Sequence, residues 1–187
     1  MSESSTDELH WRETYFIVFP DDRRPTLQQV EAVLEDAGGE LRLKNLAADD
    51  DGYFQSVFVE STQDHAAVEV SYETGEPVIE QNLQWAKELQ KQLPAQQLQQ
   101  LMTSNARLDV AHFERLPEGA NPAPPKASSD PDAAFFADDD FGGGGFGDGD
   151  DMLPDMLDPT CLLTVVEALS GLTEGLTFDP AAGELME

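Results

Sequence analysis

Residues 117–158 constrain this chain more than any other feature, because they hold half of its 14 glycines and half of its 12 prolines. Eleven carboxylates, four phenylalanines and one cation, Lys126, share the stretch. Backbone freedom at Gly, the missing donor at Pro and repulsion among carboxylates all oppose a packed core. The chain therefore divides. Residues 11–116 read as a folded α+β domain, 117–157 as an acidic Gly/Pro/Phe linker expected to be disordered, and 158–187 as a short apolar block. Residues 1–10 are polar and acidic and are expected to form a disordered N-terminus. A block of about 30 residues is too small to fold alone, so its apolar residues must pack on something else.

Removing the linker leaves about 145 residues, a usual size for one core. The net charge is −28, of which the linker carries −10, so the folded part is itself strongly acidic. Such a field repels nucleic acid and anionic membrane surfaces, and the cations needed to displace counterions from a phosphate backbone are scarce. It suits a basic protein partner instead. A reading that ranks behind the others takes the acidity as an imitation of nucleic-acid charge or as adaptation to salt. Residues 1–10 lack the basic start and apolar run of a secretory signal, and no apolar run reaches about 18 residues. A soluble, cytoplasmic protein is the expectation, with monomer and homodimer both open. Cys161 is the single cysteine and sits beside Leu157, Leu162, Leu163 and Val165, so a buried thiol in a reducing compartment is expected.

The pattern within 11–116 alternates between the two regular structures. Residues 14–19, Thr-Tyr-Phe-Ile-Val-Phe before Pro20, form a nearly continuous β-branched and aromatic run, as in a central strand covered on both faces. Thr26 with Gln29 fits a capping box, and Leu27, Val30, Leu34 and Ala37 follow at helical spacing until Gly38 and Gly39. Leu41 and Leu43 alternate with Arg42 and Lys44, Asp49, Asp50, Asp51 and Gly52 turn the chain, and 53–60 returns as a hairpin partner. Val68, Val70 and Tyr72 alternate with Glu69, Ser71 and Glu73, marking a strand with one face in water. Pro77 opens a helix running to Leu93 with Val78, Trp85, Ala86 and Leu89 inward, Pro94 starts a shorter one, and 106–116 reads as a last strand.

This order predicts an α+β fold: a single antiparallel or mixed sheet with helices on one face, in ferredoxin-like style. In the C-terminal block, Leu162, Val165, Val166, Leu169 and Leu172 form one helical stripe, and 176–178 with Leu185 and Met186 read as a short hairpin. Burying such side chains stabilises by about 1.5–3 kcal/mol each before entropy, enough to drive docking. A linker of about 40 residues spans roughly 35 Å, so the helix and hairpin are expected to pack on the main domain through it.

No catalytic, metal or cofactor signature emerges. The aspartates flanking 142–145 have the composition of a calcium loop, but neither the alternating ligands nor the closing Glu of an EF-hand. The glycine run lacks the Lys and Ser/Thr of a phosphate cradle. His10, His65 and His112 show no metal spacing, and Asp109 and His112, at a strand period of two, point to opposite faces. Ser170-Gly171 lacks the glycine of a nucleophile elbow and reads as a helix terminus. What remains is Phe135, Phe136, Asp138, Asp139, Asp140 and Phe141, aromatics set among carboxylates that can enter a hydrophobic groove rimmed by cations. The function expected is a non-enzymatic protein-interaction or regulatory module using an acidic surface and this arm. The alternative is a small-molecule-binding or enzymatic α+β domain with a scattered pocket. For the phenylalanines themselves, the preferred reading is that they lie on the parent domain rather than on a foreign partner.

Overall fold

The computed structural model describes residues 9–38, 40–115 and 159–186. The linker, its Phe-bearing arm and residues 1–8 lie outside the described residues.

One antiparallel sheet organises the chain. Its strands are β1 (Leu9–Phe19), β2 (Leu41–Ala48), β3 (Phe54–Ser61), β4 (Ala66–Thr74), β5 (Ala106–Arg115), β6 (Leu176–Asp179) and β7 (Glu184–Met186), in the spatial order β2-β3-β4-β5-β1-β6-β7. The helices are α1 (Leu27–Asp36), α2 (Glu76–Leu89), α3 (Ala95–Thr103) and α4 (Thr160–Thr173). The α+β class is what the pattern predicts.

The expected single helical layer is not what forms. Ile17 and Phe19 of β1 point into a core shared with Val30 and Leu34 of α1 and with Cys161, Leu162, Val165, Val166 and Leu169 of α4. Val18, with Phe16 beside it, points the opposite way, against Trp85, Ala86 and Leu89 of α2 and Leu101 of α3. Helices therefore cover both faces. The cause is the strand itself, which is apolar at both parities and must be shielded twice. Phe16 stacks at 5.4 Å on Trp85, which meets Phe178 of β6 at 4.2 Å, so three elements share one aromatic contact.

Local chemistry sets the element ends. Thr26 caps α1 by accepting from the Gln29 N–H while the Gln29 side chain accepts from the Thr26 N–H, the predicted capping box. Arg24 locks that helix to the β2–β3 turn: it pairs with Asp49 at 2.8 Å, donates to the Phe54 carbonyl and lies 4.0 Å over the Tyr72 ring. β1 begins earlier than the sequence suggests, so His10 belongs to the strand rather than to a disordered end. α2 stops at Leu89, short of Leu93.

The C-terminal block is part of this core. α4 packs on α1 and on β1 and β4, and β6 pairs with β1 through Phe16, Ile17 and Val18. Ser170 and Gly171 lie within α4, correcting their reading as its terminus; the helix closes at Glu174, a left-handed residue (φ 49°) whose carbonyl accepts from Gln100 Nε2 at 2.8 Å. Gly175 has a different task. A Cβ there would lie 2.7 Å from Ile17 Cγ2, 2.9 Å from Thr173 Oγ1 and 3.0 Å from the Val18 carbonyl oxygen, so only a glycine lets the chain pass this close to β1.

Gly175→Ala should therefore lower stability by about 1–3 kcal/mol in urea unfolding through overpacking. Gly171→Ala, where an added Cβ meets nothing within 4 Å, should raise it by up to about 1 kcal/mol as helix propensity improves. Equal effects of the two would contradict the close approach at Gly175. Leu169→Ala, at a fully buried position, should cost about 2–5 kcal/mol in the same assay.

Candidate functional site

Strand register places residues on the α2/α3 side of the sheet in two rows. One runs Lys44, Phe58, Glu69, Ala111, Thr14 across β2, β3, β4, β5 and β1. The next runs Arg42, Glu60, Ala67, Phe113, Trp11. Because side chains alternate, all of these face away from α1 and α4. α2 and α3 pack over β1, β4, β5 and β6 around Phe16, Val18 and Phe178. Phe58, Phe113 and Trp11 belong to neither core cluster, and Trp11 is 58% exposed with its indole N–H donated to Thr14 at 3.1 Å.

Cations converge on this half-face. Glu60 lies 2.5 Å from Lys44 Nζ and 2.9 Å from Arg115 Nη2, and Arg42 sits opposite it in register. The hydrogen bond from Lys44 holds the Glu60 carboxyl below its ordinary range; burial opposes this, while the charges of Lys44, Arg115 and Arg42 add to it. Three cations thus surround one carboxylate, with Glu69 the other anion of the two rows. The two rows are themselves balanced, Arg42 and Lys44 against Glu60 and Glu69, with Arg115 one step beyond them on β5.

A second polar group lies nearer α2. The Arg107 guanidinium pairs with Asp109, with Nε 2.6 Å from Oδ1, contacts Gln81 and lies 4.6 Å over Phe16. Burial raises the Asp109 pKa, Arg107 works against that, and Glu73 adds to the rise. The guanidinium ties β5 to α2 and β1, although its buried Nε and Asp109 Oδ1 make no hydrogen bond. Asn82, a buried residue of α2, donates to the Ser104 carbonyl at 2.9 Å and ties α2 to the α3–β5 junction.

Asp109 and His112 fall on opposite faces, as strand alternation predicts. His112 shares a row with Leu43, Val59, Val68 and Glu13 on the α4 side. It is buried, with Nδ1 3.4 Å from Glu13 Oε1 and no hydrogen bond at either ring nitrogen. Cys161 is buried at the start of α4; desolvation, with Asp64 adding, pushes its thiol up to about 12, which leaves it protonated and unreactive. Tyr15 is likewise pushed to about 12 by burial and by Glu13 and Asp179. Among the described residues no three His, Cys, Asp or Glu side chains gather as a metal site. No described helix is long and apolar enough to cross a membrane. A groove of about 570 Å³ between α4 and the β6–β7 hairpin is open and lined by residues such as Leu163, Val166 and Met186.

Phe135, Phe136, Asp138, Asp139, Asp140 and Phe141 lie outside the described residues. The half-face escaped the sequence reading because its members come from five strands. The available signal was Arg42 and Lys44 alternating on one strand of a chain so poor in cations. No known family, curated protein or solved structure matches this chain.

Glu60 supplies a pH test. A carboxyl whose folded pKa is depressed contributes stability that is present above its unfolded value and lost as pH falls through the folded one. Glu60→Gln should therefore be less stable than wild type at neutral pH, and the gap should narrow as pH falls below the ordinary value of 4.5. Urea unfolding of both proteins at neutral pH and at about pH 3 checks this, and a gap of undiminished size in acid would contradict the ion cluster.

Proposed function

We propose that this protein is a non-enzymatic interaction or regulatory module that engages a basic protein partner through an acidic surface and the arm Phe135, Phe136, Asp138, Asp139, Asp140 and Phe141. One observation supports the reading above others. β5, in the middle of the sheet, and α4, in the core, belong to the same packed body, so residues 116–158 connect two elements of one domain. Connections in compact domains are usually about two to eight residues, and one of about 40 held at both ends by a core is the usual place for a binding element. Its composition fits that role: phenylalanines supply apolar burial and aspartates supply long-range attraction.

The two kinds of residue should separate kinetically. Phe135→Ala with Phe136→Ala and Phe141→Ala should mainly speed dissociation, whereas Asp138→Asn with Asp139→Asn and Asp140→Asn should mainly slow association and flatten its salt dependence. A pull-down from the native cell comparing wild type with the triple Phe variant identifies the partner, and surface plasmon resonance with that partner reads the rates. Recovery of the same proteins at the same levels by both baits would overturn the recognition role of the arm.

A further inference from the structure

We infer that the groove between α4 and the β6–β7 hairpin is the docking site of this chain's own residues 152–157, Met-Leu-Pro-Asp-Met-Leu, which lie outside the described residues. The inference stands apart from the proposed recognition role of residues 135–141 and concerns how the long connection is tied down where it enters α4. The groove itself is built by described residues. Leu163, Val166, Glu167 and Ser170 fall at helical spacing on one face of α4, and Leu176 of β6 and Met186 of β7 form the other wall. Leu163 and Met186 are 42% and 37% exposed, so two large apolar side chains meet water at one opening.

Connectivity selects the occupant first. Pro159 caps α4, its carbonyl accepting from the Leu163 N–H at 2.9 Å, which makes Leu163 the fourth helical residue. That position commonly packs against an apolar residue just before the cap, an arrangement that fixes the angle at which the chain enters a helix. The nearest aliphatic residue before Pro159 is Leu157. Three Cα steps to Thr160 and one helical turn beyond it keep Leu157 within about 16 Å of Leu163 on any path. Extended, residues 152–157 cover about 17 Å, whereas the α4 wall from Leu163 to Ser170 is about 10 Å long, so the segment can line the whole groove. A tether this short gives an effective concentration in the millimolar range.

Chemistry selects the same segment. Between β5 and α4, Leu and Met occur only at Leu116, Met152, Leu153, Met156 and Leu157, and Val and Ile not at all. The aliphatic side chains of the connection are thus gathered beside the groove, and flexible methionines suit an irregular, open one. The described lining carries one charge, Glu167, and no cation. It repels the aspartates 138–140, whereas residues 152–157 bring a single carboxylate, Asp155. With this segment held, the free part of the connection runs from 116 to 151 and presents the arm within it.

Methionine oxidation by dilute hydrogen peroxide, read by peptide mass spectrometry on the purified full chain, tests the docking. A free peptide spanning residues 148–159 carries the intrinsic rate for Met152 and Met156, and Met102, 52% exposed on α3, is the internal reference. Met156 should oxidise about fivefold more slowly in the protein than in the peptide, and Leu163→Ser, at an exposed position, should recover most of the difference. Reciprocally, Leu153→Ser with Leu157→Ser, which changes no described residue, should raise the oxidation of Met186 about threefold towards that of Met102. Near-UV circular dichroism and an unchanged Met102 rate confirm that both variants are folded. Equal rates for Met156 in wild-type protein and peptide would overturn the inference, as would protection unchanged by either set of substitutions. Protection that rises with protein concentration would overturn it in favour of a second copy, and protection of Met186 that appears only with native cell extract, in favour of a partner. The phenylalanines of the arm enter none of these readings, so self-docking and partner recognition fail separately.

Discussion

Everything in this fold depends on a strand that must be buried on both sides. Ile17, Val18 and Phe19 are each fully buried, yet successive residues of a strand point to opposite faces. One helical layer cannot cover them. α1 and α4 shield Ile17 and Phe19, and α2 and α3 shield Val18 and Phe16. β1 also needs a neighbour on each edge, which β5 and β6 supply. Since α4 and β6 both follow residue 158, the C-terminal block completes one helical layer and one strand edge at once. The acidic segment between β5 and α4 therefore connects two elements of a single core.

The same core explains how a chain of net charge −28 holds together. Several cations among the described residues sit where elements join. Arg24 ties the start of α1 to the β2–β3 turn, Arg12 binds Glu114 across β1 and β5, and Arg107 binds Asp109 beneath α2. Arg23 meets Glu174 where α4 ends. Single pairs of this kind contribute at most about 1 kcal/mol when exposed. Their placement matters more: Arg24 and Arg23 link separate elements and Arg12 links two strands, while Arg107 and Asp109 share β5. Lys44, Arg115 and Arg42 differ: they gather around one carboxylate, Glu60, and so tie β2 and β5 to β3 within the sheet.

Local signals in the sequence translated well. The capping box of Thr26 and Gln29, the alternation of β2 and β4 and the apolar stripe of α4 each depend on residues within one element. The helical layering was also latent in residues 14–19, whose two apolar parities already required two covers, but the ferredoxin-like analogy favoured one. Ser170 and Gly171 misled because a glycine commonly ends a helix, whereas here Glu174 takes the left-handed position and Gly175 is needed for its closeness to Ile17 and Val18. The half-face was illegible for a topological reason. Lys44, Phe58, Glu69, Ala111 and Thr14 become neighbours only when β1 is placed beside β5 and β5 beside β4, pairings that no local pattern encodes.

The central claim, that the C-terminal block and the N-terminal strand form one cooperative core, is tested most directly by native-state hydrogen exchange on the full chain. Amides of Ile17, Val18 and Phe19 and of Val165, Val166 and Leu169 should exchange only through global unfolding, with the same free energy and the same denaturant dependence. Exchange of the α4 amides through a small local opening while β1 stays protected would show that the block is an appendage, and the account would fail.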